Sequence, residues 1–129
     1  MNRWITAILA VVLGANGLFM LAAPLAWYDA VPGVPLTGAF NPHFVRDIGM
    51  AYLTVTLGLA WFAWRPVQAW PALVCAAVFQ LLHAAIHIGD GACGSSPLSD
   101  FVRDFPGVFL PALLTAWIAW RARPQSTGA

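Results

Sequence analysis

Four runs of mainly apolar residues divide the chain: Trp4 to Ala23, Arg46 to Trp64, Trp70 to Ile88 and Phe101 to Trp120. Each is close to the roughly 20 residues that a helix needs to cross about 30 Å of hydrocarbon. The pattern therefore predicts four membrane spans. Pro24 closes the first run, Arg65-Pro66 the second and Gly89-Asp90-Gly91 the third, while Pro106 and Pro111 fall in the fourth, where a kink is expected. The first run, flanked by Arg3, has some features of a signal peptide. It exceeds an h-region of about 7–15 residues and is read as a retained anchor. The stretches 24–41 and 89–100, rich in Gly, Pro and Ser, are expected to fold over one mouth of a bundle, and residues 124–129 to form a disordered tail. The expected architecture is one transmembrane domain over 1–129, an all-α integral membrane four-helix bundle.

Composition strengthens the membrane reading. Hydrophobic side chains make up 60% of the 129 residues and charged ones 9%, with a mean hydropathy of +0.75, whereas a soluble domain carries about 25% charged residues. All six basic residues are Arg and all five acids are Asp. A formal net charge of +1 offers no basic stripe for a phosphate backbone, so nucleic acid is excluded as a partner. No P-loop, dinucleotide-binding fingerprint or zinc-finger spacing is present.

Charge also orients the spans. With four crossings, Arg3, Arg65, Arg121 and Arg123 share one side with no Asp, whereas Arg46 and Arg103 share the other with all five Asp. The arginine-rich side is expected to be cytoplasmic and to hold both termini. Six of the seven Trp (Trp4, Trp61, Trp64, Trp70, Trp117, Trp120) lie at the span ends on that side, with Trp27 and Tyr28 on the other, as aromatic belts do.

An echo runs through the aspartate-rich side. Phe44-Val45-Arg46-Asp47 leads into the second span and Phe101-Val102-Arg103-Asp104 into the fourth. Two helical hairpins related by a pseudo-twofold along the membrane normal would produce it, and so would coincidence in four letters. Arg46 and Arg103 admit two roles: attracting an anion at the outer interface, or pairing across the pseudo-twofold, Arg46 with Asp104 and Arg103 with Asp47.

Polar side chains within spans face a bundle interior or a wet cavity. Gln80, His83, His87 and Asp90, spaced 3, 4 and 3, share one stripe of the third span. The stripe descends roughly 15 Å from the outer surface. His43, Asp47 and Thr54 are expected to face it from the second span and Asn16 from the first. Together these eight residues predict an outward-facing pocket. His83 and His87 at i and i+4, joined by His43 and Asp47 or Asp90, have the donor types of a zinc or other transition-metal site. The spacing is no full metal signature, and a structural hydrogen-bond network accounts for the same residues. Cys75 lies within the third span and Cys93 in the outer loop beyond it, which makes them poor candidates for a disulfide. Ala10 and Gly14, Ala72 and Ala76, and Ala112 and Ala116 form small-xxx-small pairs suited to close helix packing.

The run Asn41-Pro42-His43-Phe44-Val45-Arg46-Asp47-Ile48-Gly49-Met50-Ala51-Tyr52-Leu53, with His83-x-x-x-His87 and Asp90, resembles the small bacterial four-span membrane proteins loosely grouped as DoxX-like. The resemblance implies a bacterial inner (cytoplasmic) membrane location, with His43, Arg46, Asp47, His83 and His87 as characteristic positions. It permits a link to membrane redox complexes. Three functions remain open: a ligand-binding or accessory subunit of a membrane complex, a metal-dependent or redox membrane enzyme using His43, His83, His87 and a nearby Asp, and a purely structural subunit. The expected partners are the lipid bilayer and either a membrane protein or further copies of the chain. The ligand, any cofactor and the reaction are unknown at this stage.

Overall fold

The computed structural model describes residues 2–93 and 96–124, the side chain of residue 93 excepted, so the expectation for residues beyond 124 lies outside the described part. Among the described residues every regular element is helical: α1 (Asn2–Ala22), α2 (Pro24–Ala30), a 3-10 turn (Val34–Leu36), α3 (Pro42–Trp64), α4 (Trp70–Cys93), α5 (Pro97–Asp104), a π turn (Phe105–Phe109) and α6 (Leu110–Arg121).

Local chemistry explains the element ends. Asn41 starts α3 as its cap, its side-chain oxygen accepting from the backbone N–H of His43 (3.0 Å) and Phe44 (3.2 Å), with Pro42 in the first helical position where no N–H is needed. At the other end, Arg3 donates to the carbonyls of Ala63 (2.7 Å) and Trp64 (3.2 Å), so a cation meets the orphan acceptors of a helix C-terminus. Pro106 lies within the π turn that joins α5 to α6 and Pro111 just beyond it, so the residues 97–121 run as one helix interrupted by a wider turn. This is the physical form of the expected kink.

The long helices pack in the order α1, α3, α4, α6, with α6 returning only sparsely to α1. Backbones approach most closely between α1 and α3. A Cβ on Gly17 would lie 2.9 Å from the Gly49 carbonyl oxygen, which only a residue without one avoids. Leu59, Phe62, Leu73 and Ile118 form the interior at the arginine end, where Trp70 ties α4 to α6 by donating from Nε1 to the Ala119 carbonyl (2.9 Å). Ala10, Gly14, Ala76 and Ala112 are buried as the small-residue pairs require. The outer surfaces are apolar instead, with Ile8, Val11, Leu82 and Leu113 all exposed, which suits contact with a lipid bilayer.

Three helices, Asn2–Ala22, Trp70–Ala92 and Pro97–Arg121, are long and apolar enough to cross a membrane. The 23-residue α3 has the length, but Arg46, Asp47, Tyr52, Thr54 and Thr56 dilute its apolar character, and it falls outside that group. The four expected runs thus correspond to four long helical segments, of which three meet the membrane criterion. The loop expected over 24–41 is itself partly ordered as α2 and the 3-10 turn, and α4 continues past Ile88 into the stretch expected as loop.

Candidate functional site

A connected polar group sits at the aspartate end, where α4 meets α5. His87 Nδ1 lies 2.7 Å from Asp104 Oδ2. An ionised carboxylate only accepts, so His87 donates from Nδ1 and, in its neutral form, keeps Nε2 as an acceptor. Asp104 is held in turn by Arg103, whose Nε donates to Oδ1 (2.8 Å) and Nη2 to Oδ2 (3.3 Å). Arg103 Nη1 also donates to Asp100 (2.7 Å). The Asp104 side chain is 11% exposed and that of His87 28%, so both are partly withdrawn from solvent. The Arg103 guanidinium lies against Gly33, a residue at φ +90° where a Cβ would collide with it. The loop between α2 and α3 is thereby fitted to the network.

Aromatic rings extend the group toward the middle of α4. The His83 and His87 rings meet edge to face, with centroids 4.8 Å apart and planes at 73°. Phe79 stacks parallel to His83 at 6.2 Å and 3°, while Tyr52 from α3 presents to His83 at 6.0 Å and 85°. One turn further, the buried Gln80 donates to Thr115 Oγ1 (3.0 Å) and to the Ala76 carbonyl (3.3 Å), and Thr115 donates to the Pro111 carbonyl (2.8 Å). Gln80 Oε1 is buried without a partner. Buried acceptors are rarely left so, and this one is the polar end of the track.

The sequence-predicted residues divide into those this arrangement unites and those it does not. His83, His87 and Gln80 line one side of α4 as expected, and Asp104 joins them from α5. Asp90 is exposed at the far end of α4. Asn16 faces α2, accepting from Trp27 Nε1 (2.8 Å) and contacting Met20 Sδ (3.6 Å). His43, Asp47 and Thr54 do share a stripe, but it is an exposed one. His43 contacts Asp47 on its own helix (3.3 Å), and Thr54 donates to the Met50 carbonyl (3.0 Å).

Two expectations change accordingly. His43 stands exposed beside Asp47 on α3 rather than with His83 and His87, and among the described residues no three His, Cys, Asp or Glu side chains converge as ligands. The cross-repeat ion pairs are not formed either. Arg103 satisfies itself with Asp100 and Asp104 on its own helix, three residues back and one ahead, while Arg46 and Asp47 stand exposed on α3. Short-range partners won over distant ones because their side chains reach without moving a helix. Asp100, Tyr52 and Phe79 were missed as members of the site. The Asp100–Arg103 spacing of three was the available signal; nothing local marks Tyr52 or Phe79, because the contact depends on how α3 and α4 pack.

Two open surface depressions lie elsewhere. One, of about 560 Å³, is lined by Pro24, Leu25, Asp29, Phe40 and Pro42, and the other, of about 400 Å³, lies between α1 and α3 at the arginine end. Fold and site together define an all-helical protein with three helices able to cross a membrane and a partly buried His–Asp–Arg network near one end. No family model, curated protein or solved structure matches the chain.

Proposed function

We propose that the chain is a four-span protein of a bacterial cytoplasmic membrane, DoxX-like, with both termini in the cytoplasm. Its outer His–Asp–Arg network is the docking point for a small hydrogen-bonding ligand, quinone-like in chemistry, and the chain serves as an accessory subunit of a membrane complex. The fourth crossing is α3. Its 23 residues span about 35 Å, and it packs between α1 and α4, both apolar enough to cross.

The observation that carries the ligand reading is the 2.7 Å contact between His87 and Asp104. Asp104, anchored by Arg103, fixes the orientation of the His87 ring and leaves its Nε2 uncommitted beside His83. A ligand hydroxyl, such as that of the reduced, quinol form, is the natural complement of such an acceptor. The test is anaerobic titration of the detergent-purified protein with a short-tailed benzoquinol, followed by calorimetry. Saturable binding is expected, weakened at least tenfold by His87→Ala and by Asp104→Asn; a folded wild type that binds nothing refutes the reading.

A purely structural subunit is the second reading. It is favoured by the internal pairing of His87, Asp104, Arg103 and Asp100 and by the location of the two surface depressions away from them. That role predicts no quinol binding, together with lower thermal stability in Asp104→Asn. Metal analysis of the same sample is expected to give far less than one metal per chain. A stoichiometric zinc or transition metal, lost in His83→Ala/His87→Ala, would revive the redox or metal-dependent enzyme.

A further inference from the structure

Helix α3 is turned unexpectedly for a helix that meets only lipid. Its buried face is Val45, Gly49, Tyr52, Val55, Leu59 and Phe62, whereas its exposed face carries His43, Arg46, Asp47 and Thr54 among Met50, Leu57, Trp61 and Trp64. The other long helices show lipid an apolar middle, as with Ile8, Val11 and Leu18 on α1 or Val78, Leu82 and Ile86 on α4. Polar side chains at membrane depth normally point toward protein. On α3 the mid-helix Thr54 points away from this chain, and His43, Arg46 and Asp47 stand exposed above it in the first two turns, at the outer end of the helix.

We infer that the exposed face of α3 is an interface with a second copy of the chain, related by a two-fold axis along the membrane normal. This rests on the four-span reading, since α3 must cross the bilayer for the two copies to lie side by side. His43, Asp47, Met50, Thr54, Leu57, Trp61 and Trp64 recur at alternating spacings of four and three, the seam that two parallel helices share in a left-handed pair. A two-fold interface must be self-complementary, and this face is so in charge. Arg46 has no carboxylate partner among the described residues and stands next to the exposed Asp47. Parallel packing puts each Arg46 within reach of Asp47 of the partner subunit, forming two symmetric pairs. Shape agrees with charge. The cavity of about 400 Å³ floored by Ala7, Ala10, Ala60 and Ala63 lies beside the face, and Trp61, which is 47% exposed, is the bulky side chain available to enter its counterpart in the second copy. Thr54 then meets protein rather than acyl chains.

The test uses full-length protein in its membrane with Cys75 and Cys93 replaced by Ser. Single cysteines are placed on the face (Thr54→Cys, Leu57→Cys) and, as controls, on other exposed surfaces (Val11→Cys, Leu82→Cys, Leu113→Cys). A short thiol cross-linker is expected to give a band of twice the chain mass at the α3 positions, several-fold stronger than at the controls. Light scattering in mild detergent should give a dimer that dissociates in Asp47→Arg and re-forms in the swapped Arg46→Asp/Asp47→Arg protein. A monomer without α3 cross-links overturns the inference, as does equal cross-linking at the controls or a product heavier than two chains that contains another protein. Leu36→Cys and Val67→Cys, labelled with a membrane-impermeant maleimide, separate the two failures. Labelling from the same side removes the four-span reading and the interface with it, whereas opposite sides without cross-links removes the interface alone.

Discussion

Asp104 receives His87 on one oxygen and Arg103 on both, so one carboxylate joins α4 to the helix that follows it. Asp104→Asn keeps the shape but removes the charge and turns one acceptor into a donor. Loss of charge-assisted bonds at a mostly buried side chain is expected to destabilise the fold by about 2 kcal/mol, read as a lowered Tm in detergent. Gln80 sets up the opposite test. Gln80→Leu gives up the bond to Thr115 yet also removes a buried, unpartnered oxygen, and removing a buried polar group for an apolar one of similar size is often close to neutral. The variant should unfold within about 1 kcal/mol of wild type; a much larger loss would mean that Oε1 has a partner, such as an internal water, in the membrane.

Among the elements, the lengths of the apolar runs located α1, α3, α4 and the α5–α6 segment to within about five residues at each end, because a continuous apolar run leaves a strong trace in the sequence. They did not reveal which stripe of each helix faces inward. On α3 the decisive residue is Gly49, against which Gly17 of α1 packs backbone to backbone. A pair of glycines about thirty positions apart carries no local sign of that meeting, so His43, Asp47 and Thr54 were assigned to a shared pocket from which the packing excludes them. Gly17→Leu is expected to force α1 and α3 apart and to abolish a folded monodisperse peak in size-exclusion chromatography, while Gly14→Ala, whose nearest neighbour is a movable Thr56 methyl at 3.0 Å, should be tolerated. The short α2 was hidden within a Gly- and Pro-rich stretch; its Pro24 start is a signal that only becomes readable once the helix is known.

For the whole molecule, the helices form an incomplete ring, firm from α1 through α3 and α4 to α6 and loose where α6 returns to α1. The site lies in the firm part, and the half of it on α4 was legible because His83, His87 and Gln80 fall on one stripe of a single helix. Asp104 was legible as a charge, but its partner was not, since the meeting with His87 depends on the turn between α4 and α5. Gly33 extends that dependence to the loop of the first half. Gly33→Ala, strained at φ +90° and pressed against the guanidinium, should displace Arg103 and lower Tm, with a cost of about 1–2 kcal/mol for the backbone alone. An Arg103→Ala background should remove the steric part of that loss and leave only the backbone part.

Arg3 hands its protons to the carbonyls of Ala63 and Trp64, sixty residues away. During synthesis from the N-terminus, α1 is made long before those carbonyls exist, so its guanidinium must find other partners until α3 has been made. The Arg3 contact between α1 and α3 can therefore form only after the chain through Trp64 has left the ribosome. A chain truncated before Ala63 keeps α1 but lacks the acceptors that hold its Arg3.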